Sequence, residues 1–492
     1  MQYVSTRDSS LRVSAAEAIV MGLSRDGGLF LPERIPTMSA AQLQKLTACD
    51  YPHRAAWVMK QYLDEFTEEE LLDYAQRAYG AAKFDTPAAA PVATVNGVHV
   101  LELWHGPTCA FKDMALQMLP YLLTASLRKT GEERTVCILV ATSGDTGKAA
   151  LEGFRDVPQS KILVFYPRDG VSDIQKLQMI TQAGENVGVC AVVGNFDDAQ
   201  SGVKAIFSDP EIRQQLDARG EFLSSANSIN WGRVLPQLVY YISAYCDLCA
   251  SGDIQPGDPI NICVPTGNFG NILAAFYAKR MGLPVNRLIC ASNANNVLTD
   301  FLSTGVYDRN RPFHTTTSPS MDILISSNLE RLLYLLSGSD AEVRGYMARL
   351  NETGRYEVSS AIRAALDAEF AAGYCDDVRT AAVINEVYRS AGYLLDPHTA
   401  VGYAVLSDYR ADSGDMTPAV LASTASPFKF CDSVLSALGV TEQKKGVDII
   451  EQLSDVSGKC APLPLLSLRD QQIRFRHVTE KQNMPQTVME LL

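Results

Sequence analysis

The chain has 492 residues, of which 47 % are hydrophobic and 20 % charged, and its formal net charge is −13. That length exceeds what a single core organises and calls for two or three domains. The negative charge, with no basic run or interleaved aromatic patch, excludes a binder of nucleic-acid backbones.

The chain begins with Met1-Gln-Tyr-Val-Ser-Thr-Arg7, which has no apolar signal region, and no segment is long enough to span a membrane. Eleven cysteines, an odd number scattered through apolar stretches, read as buried thiols in a reducing compartment, so a cytoplasmic location is expected. Residues 1–95 read as a helical module, because Ser14–Glu17, Ser39–Gln42 and Thr67–Glu70 are capping boxes that each open an amphipathic run. Pro87-Ala-Ala-Ala-Pro91 is linker-like and marks a boundary.

His99 to Trp104 alternates as a half-buried strand does, His105-Gly-Pro-Thr108 is a turn, and Asp113 to Leu123 reads as an apolar helix. Lys112 stands just before that helix, where the dipole disfavours a cation and is expected to push the amine pKa down, as Schiff-base chemistry requires. Thr135–Ala141 and Lys161–Tyr166 are continuous apolar runs typical of strands buried in a parallel sheet, and Asn186–Val193 reads as a further strand. Ser143-Gly-Asp-Thr-Gly147 follows the first of them at a strand-to-helix junction. Ser224 to Arg233 is polar, aromatic and basic at once, and it precedes a long apolar helix. The strand Ile260–Pro265 runs through the turn Thr266 to Asn271 into a helix from Ile272 to Met281. Residues 330–375 read as helical, and Ala419–Thr424 as a last buried strand. From about residue 438 the tail reads as helices packed over the core. Strands alternating with helices in this way imply βαβ units and doubly wound sheets.

Three of these pieces carry chemistry together. Gly267-Asn268-Phe269-Gly270-Asn271 has the glycines and the helix start of a phosphate cradle, yet it is neither a dinucleotide fingerprint nor a nucleotide P-loop. Thr424 ends a buried strand with a hydroxyl, and Lys112 offers an amine. A lysine, a phosphate cradle and a hydroxyl on three strands are what a pyridoxal phosphate site needs. Six histidines without short-range pairing, and the lone Cys246-Asp-Leu-Cys249, argue against a metal site. His105 and His398 read as structural.

These residues also resemble a family. Tyr3 to Arg7, Gly22 to Gly28, His105 to Asp113, Ser143 to Gly147, Asn227 to Trp231 and Pro265 to Asn271 are similar to the threonine synthases. The likeness is to their longer form, with an N-terminal helical domain, among the fold-type II (tryptophan synthase beta-like) pyridoxal phosphate enzymes. The resemblance implies two doubly wound α/β lobes in a core of residues 96–437, a smaller lobe at about 130–225 inserted in the larger, and a C-terminal helical tail over 438–492. It implies that Lys112 bonds the cofactor aldehyde, that Gly267 to Asn271 bind its phosphate, and that Thr424 faces the pyridine nitrogen. Ser426 and Phe428 stand where many bacterial relatives carry His and Ala, and Asp145 where cysteine synthases carry Asn. The implied reaction turns O-phospho-L-homoserine and water into L-threonine and phosphate, the alternative being a phospho-lyase that releases 2-oxobutyrate and ammonia. Ser143, Thr146, Asn230 and Arg233 are the candidate donors to the substrate phosphate. The protein is expected to act on this small molecule as a monomer or homodimer, with no nucleic acid or membrane partner.

Overall fold

Two sheets organise the chain in the computed structural model, which describes residues 1–169 and 171–492. The larger has six strands in the order Phe370–Tyr374, Val285–Ser292, Ile260–Pro265, Ala419–Ser423, Val98–Glu102 and Val92–Val95. All neighbours run parallel except the last pair, which is an antiparallel hairpin. The smaller sheet is fully parallel, in the order His477–Glu480, Val187–Val193, Ser160–Pro167, Thr135–Ala141 and Glu221–Ser224. Ile260–Pro265 is buried at every position, as covering a parallel sheet with helices on both faces requires.

Five expectations change in detail. The N-terminal segment carries the helices Ala15–Met21, Ala40–Thr47, Tyr51–Tyr62 and Glu68–Tyr79, but also a three-stranded sheet of Arg12–Val13, Tyr3–Ser5 and Phe30–Pro32. Strands of two or three residues are too short to show a period. The strand Val92–Val95 lies on the N-terminal side of the expected boundary at residue 95, yet it belongs to the larger sheet. It pairs with Val98–Glu102 through Asn96-Gly97, both at positive φ, the turn chemistry of a tight hairpin. The expected helix from Asp113 is split into Asp113–Leu116 and Leu119–Thr130, with Pro120 in the first turn of the second. Residues 330–375 contain the strands Arg355–Glu357 and Phe370–Tyr374 besides three helices, and Phe370-Ala-Ala-Gly-Tyr374 has too little branched content to announce an edge strand. The tail is not helical throughout. His477–Glu480 extends the smaller sheet, and Met484–Leu491 packs on the helix Phe196–Ser208.

The N-terminal segment is built into the core. Trp231, fully buried at the start of the helix Trp231–Ser251, packs against Tyr3, Tyr62 and Tyr277 with ring centroids 5.3–5.7 Å apart. Such aromatic pairs add to area burial through edge-to-face geometry. No helix among the described residues is long and apolar enough to cross a membrane.

Candidate active site

The carboxyl ends of strands from both sheets open onto one cavity of about 1180 Å³. Open α/β sheets place their ligands at such strand ends. Lys112, Ser143, Thr146, Arg233, Gly267 to Asn271, Ser320, His398 and Thr424 all line it.

Lys112 caps the helix Asp113–Leu116 and is 7 % exposed. Its Nζ donates to Ser320 Oγ at 3.1 Å and to Asp145 Oδ2 at 3.5 Å, and lies 4.6 Å from the centre of the Phe111 ring. Burial lowers the amine pKa, and the nearby positive charges of Lys429 and Arg233 assist against the pull of Asp145. The direction agrees with the sequence expectation, but the cause does not. A helix of four residues has little dipole, so desolvation takes its place.

Asp145 opens the helix Asp145–Phe154 of the smaller lobe and is fully buried. Its Oδ1 accepts from Lys429 Nζ at 2.8 Å and Gln175 Nε2 at 3.0 Å. Burial pushes the carboxyl pKa up, yet Lys429 and Lys112 pull harder and hold it well below the ordinary carboxylate range. Lys429 Nζ also donates to the Thr108 carbonyl at 2.8 Å, so the pair ties the two lobes beside Lys112.

The cradle follows Ile260–Pro265. Phe269 has a left-handed φ of 62° and caps the helix Gly270–Met281. A Cβ on Gly267 would stand 2.6 Å from the Ser320 carbonyl, so only glycine allows that approach. The Gly267 carbonyl accepts from Ser326 Oγ, and the Asn268 carbonyl from Asn328 Nδ2 and its backbone N–H. Asn271 Oδ1 accepts from Tyr240 and Tyr241, whereas its Nδ2 is buried with no partner. A turn tied down through its carbonyls, next to the N-terminus of a 12-residue helix and carrying an unspent amide donor, fits a phosphate monoester.

The comparisons with known proteins agree along the whole chain. The threonine synthase N terminus family matches residues 2–79, the pyridoxal-phosphate dependent enzyme family 85–422, and the threonine synthase C-terminal family 399–473. Threonine synthase from Pseudomonas aeruginosa is 38 % identical, over 94 % of this chain and 96 % of that protein. The chain belongs to the threonine synthase family. Human threonine synthase-like 1 is 41 % identical, and the alignment covers 89 % of this chain but only 61 % of that longer protein. Among solved structures, the pyridoxal phosphate-bound threonine synthase from Brucella melitensis has a TM-score of 0.87 at 38 % identity, covering 100 % of this chain and 99 % of its own. The Escherichia coli enzyme reaches 0.80 at 30 % identity, with full coverage of both chains.

Within this threonine synthase fold the predicted residues divide. Asn230 does not line the cavity. Its Oδ1 accepts from the Gly232 N–H and its Nδ2 donates to the carbonyls of Ile19 and Ser225, so it caps a helix and fastens the N-terminal segment. Arg233 faces the cavity. It is 3 % exposed, its Nη1 donates to the Ala226 carbonyl, its Nε has no partner, and burial lowers its pKa to about 10. Thr424 directly follows the strand Ala419–Ser423, and its carbonyl accepts from the Phe111 N–H.

His398, read from sequence as structural, stands beside the site. It lines the cavity, and its Nε2 accepts from the Ser320 N–H at 3.2 Å while Nδ1 meets Asp396 at 2.8 Å. Lys429 and Ser320 carried no assignment from sequence. A lysine inside Pro427-Phe-Lys-Phe-Cys431 is itself a signal, because a charge amid apolar residues must be paired if buried. Ser320 lies in an aperiodic polar loop and gives none.

Proposed function

We propose that this protein converts O-phospho-L-homoserine and water to L-threonine and inorganic phosphate, with pyridoxal phosphate as cofactor, in a reducing, cytoplasmic setting. One observation carries this reading: a single cavity joins a buried lysine, whose charged form burial disfavours, to a phosphate cradle and to the unspent Nε of Arg233. Membership of the threonine synthase family supports it, as do 11 cysteines that are all free thiols.

The chain's residues divide the work. Gly267 to Asn271 hold the cofactor phosphate, Thr424 offers its hydroxyl to the ring nitrogen, and Lys112 is the attachment point. When bound, the cofactor supplies a sink for negative charge at the substrate Cα. Lys112 Nζ takes the Cα proton and moves protons onward, a role suited to an amine that burial keeps from holding its charge tightly. Arg233, with Ser143 and Thr146, binds the phosphate that leaves from Cγ, and water is taken up at Cβ. Guanidinium suits this because it offers two parallel donors to a dianion.

The test is product analysis of the purified holoenzyme with O-phospho-L-homoserine, measuring phosphate, threonine and 2-oxobutyrate together. Threonine equal to phosphate is expected. Phosphate matched by 2-oxobutyrate overturns the synthase reading, and no phosphate overturns the substrate. Arg233→Ala is expected to raise the KM by roughly ten- to a hundredfold, the scale of losing a charge-assisted bond.

A further inference from the structure

Among the described residues, three groups lie beside the Lys112 amine. The Phe111 ring packs against it and Asp145 supplies the countercharge. The third is the Ser320 hydroxyl, which at 3.1 Å is nearer to Nζ than the carboxylate is at 3.5 Å. Ser320 Oγ accepts from Lys112 Nζ and donates its own hydrogen to Asp145 Oδ2 at 3.3 Å, so amine, hydroxyl and carboxylate form one chain of hydrogen bonds.

The loop that carries this hydroxyl is held from several sides. His398 Nε2 accepts the Ser320 N–H, and the ring of His398 is fixed by Asp396 and by the edge of Phe430 at 4.9 Å. Asp322, two residues on, accepts from Asn293, Asn295 and Thr316. The Ser320 carbonyl is the atom against which Gly267 of the cradle packs. The hydroxyl is therefore set in place relative to both the amine and the phosphate cradle, as a group with a geometric task must be.

We propose that Ser320 is a positioning residue for this reaction, whose hydroxyl holds and aims the Lys112 amine while that amine carries protons. The inference rests on the reading of Lys112 as the base. When Nζ takes the Cα proton it becomes an ammonium with one more N–H than before. Ser320 Oγ accepts one of those N–H groups and keeps its own hydrogen on Asp145, so charge rises at Nζ beside a carboxylate and no proton leaves the site. A four-carbon side chain without this contact samples rotamers that point the amine away from Cα.

The test follows proton removal without turnover. Holoenzyme is placed in D2O with the phosphonate analogue of O-phospho-L-homoserine, in which CH2 replaces the ester oxygen so that phosphate cannot leave. Deuterium entry at Cα is read by NMR, and cofactor loading by absorbance. Ser320→Ala is expected to slow exchange about tenfold or more, with analogue affinity and loading within about twofold of wild type. Ser320→Thr, which keeps the hydroxyl, is expected within about threefold of wild type. Wild-type exchange in Ser320→Ala, or a Thr variant as slow as the Ala variant, overturns the proposal. If Ser320→Ala fails to load, Ser320→Cys keeps the volume with a weaker hydrogen bond, and wild-type exchange there overturns it equally. Wild-type protein that exchanges the Cα proton of the analogue yet makes no threonine from the substrate counts against the synthase reading alone.

Discussion

Two strand-to-helix turns face each other across the cavity, and they use the same grammar to opposite ends. In the turn Thr142 to Gly147 of the smaller lobe, the Thr142 hydroxyl accepts the backbone N–H of both Gly144 and Gly147, and the first helical residue, Asp145, adds a buried carboxylate. In the turn Thr266 to Asn271 of the larger lobe, the side-chain bonds fall on carbonyls instead, and the Asn271 amide donor is left unspent. A helix N-terminus thus becomes an anion site only if its donors are not already spent and no fixed negative charge occupies it. The first turn anchors a cationic lysine, and the second is open to a phosphate.

Lys112→Ala is the most severe way to break this arrangement. It is expected to remove the lysine-linked cofactor absorbance and to cut kcat by roughly 10³-fold or more, as its proposed roles of attachment point and base imply. Asp145→Asn strikes the first turn through stability. It leaves Lys429 buried without its countercharge, and a loss of about 3–5 kcal/mol at neutral pH is expected from urea midpoints. Because the folded carboxyl is held below its unfolded value, the wild-type advantage is fully present above the ordinary Asp pKa of about 3.9 and shrinks as pH falls below it. Midpoints measured at pH 7, 5 and 3.5 check both the size and the sign. Asn271→Asp puts a negative charge into the second turn and is expected to weaken cofactor binding about tenfold or more, read by titrating apoenzyme with pyridoxal phosphate. Ser143→Ala, in the turn whose donors are partly spent, is expected to change cofactor affinity less than about threefold in the same titration. Equal losses from the last two variants would erase the distinction between the turns.

The strand-to-helix turn proposed as the cradle was legible because it lies in five consecutive residues, Gly267 to Asn271, behind a strand that is apolar at nearly every position. The capping boxes were legible for the same reason, and those at Ser14, Ser39 and Thr67 all form with both reciprocal bonds. What escaped reading is made between distant segments. Asp145 meets Lys429 from 284 positions away along the numbering, and Lys112 meets Ser320 across 208. No local pattern encodes such a contact. Asn230 misled for the opposite reason, since an asparagine before a polar helix start reads alike whether it caps that helix or reaches a ligand.

The position of Ala419–Ser423 bears on how the protein comes into being. This strand is the last of the six to be made, yet it lies in the interior of the larger sheet, between Ile260–Pro265 and Val98–Glu102. Until the ribosome has released residue 423, those two strands expose facing edges with nothing between them. The N-terminal segment waits as well, because its aromatic partner Trp231 emerges long after Tyr3 and Tyr62. Assembly of the larger lobe is therefore a late event in synthesis, dominated by contacts of high sequence separation. A truncation before residue 419 removes the middle of a sheet rather than its end.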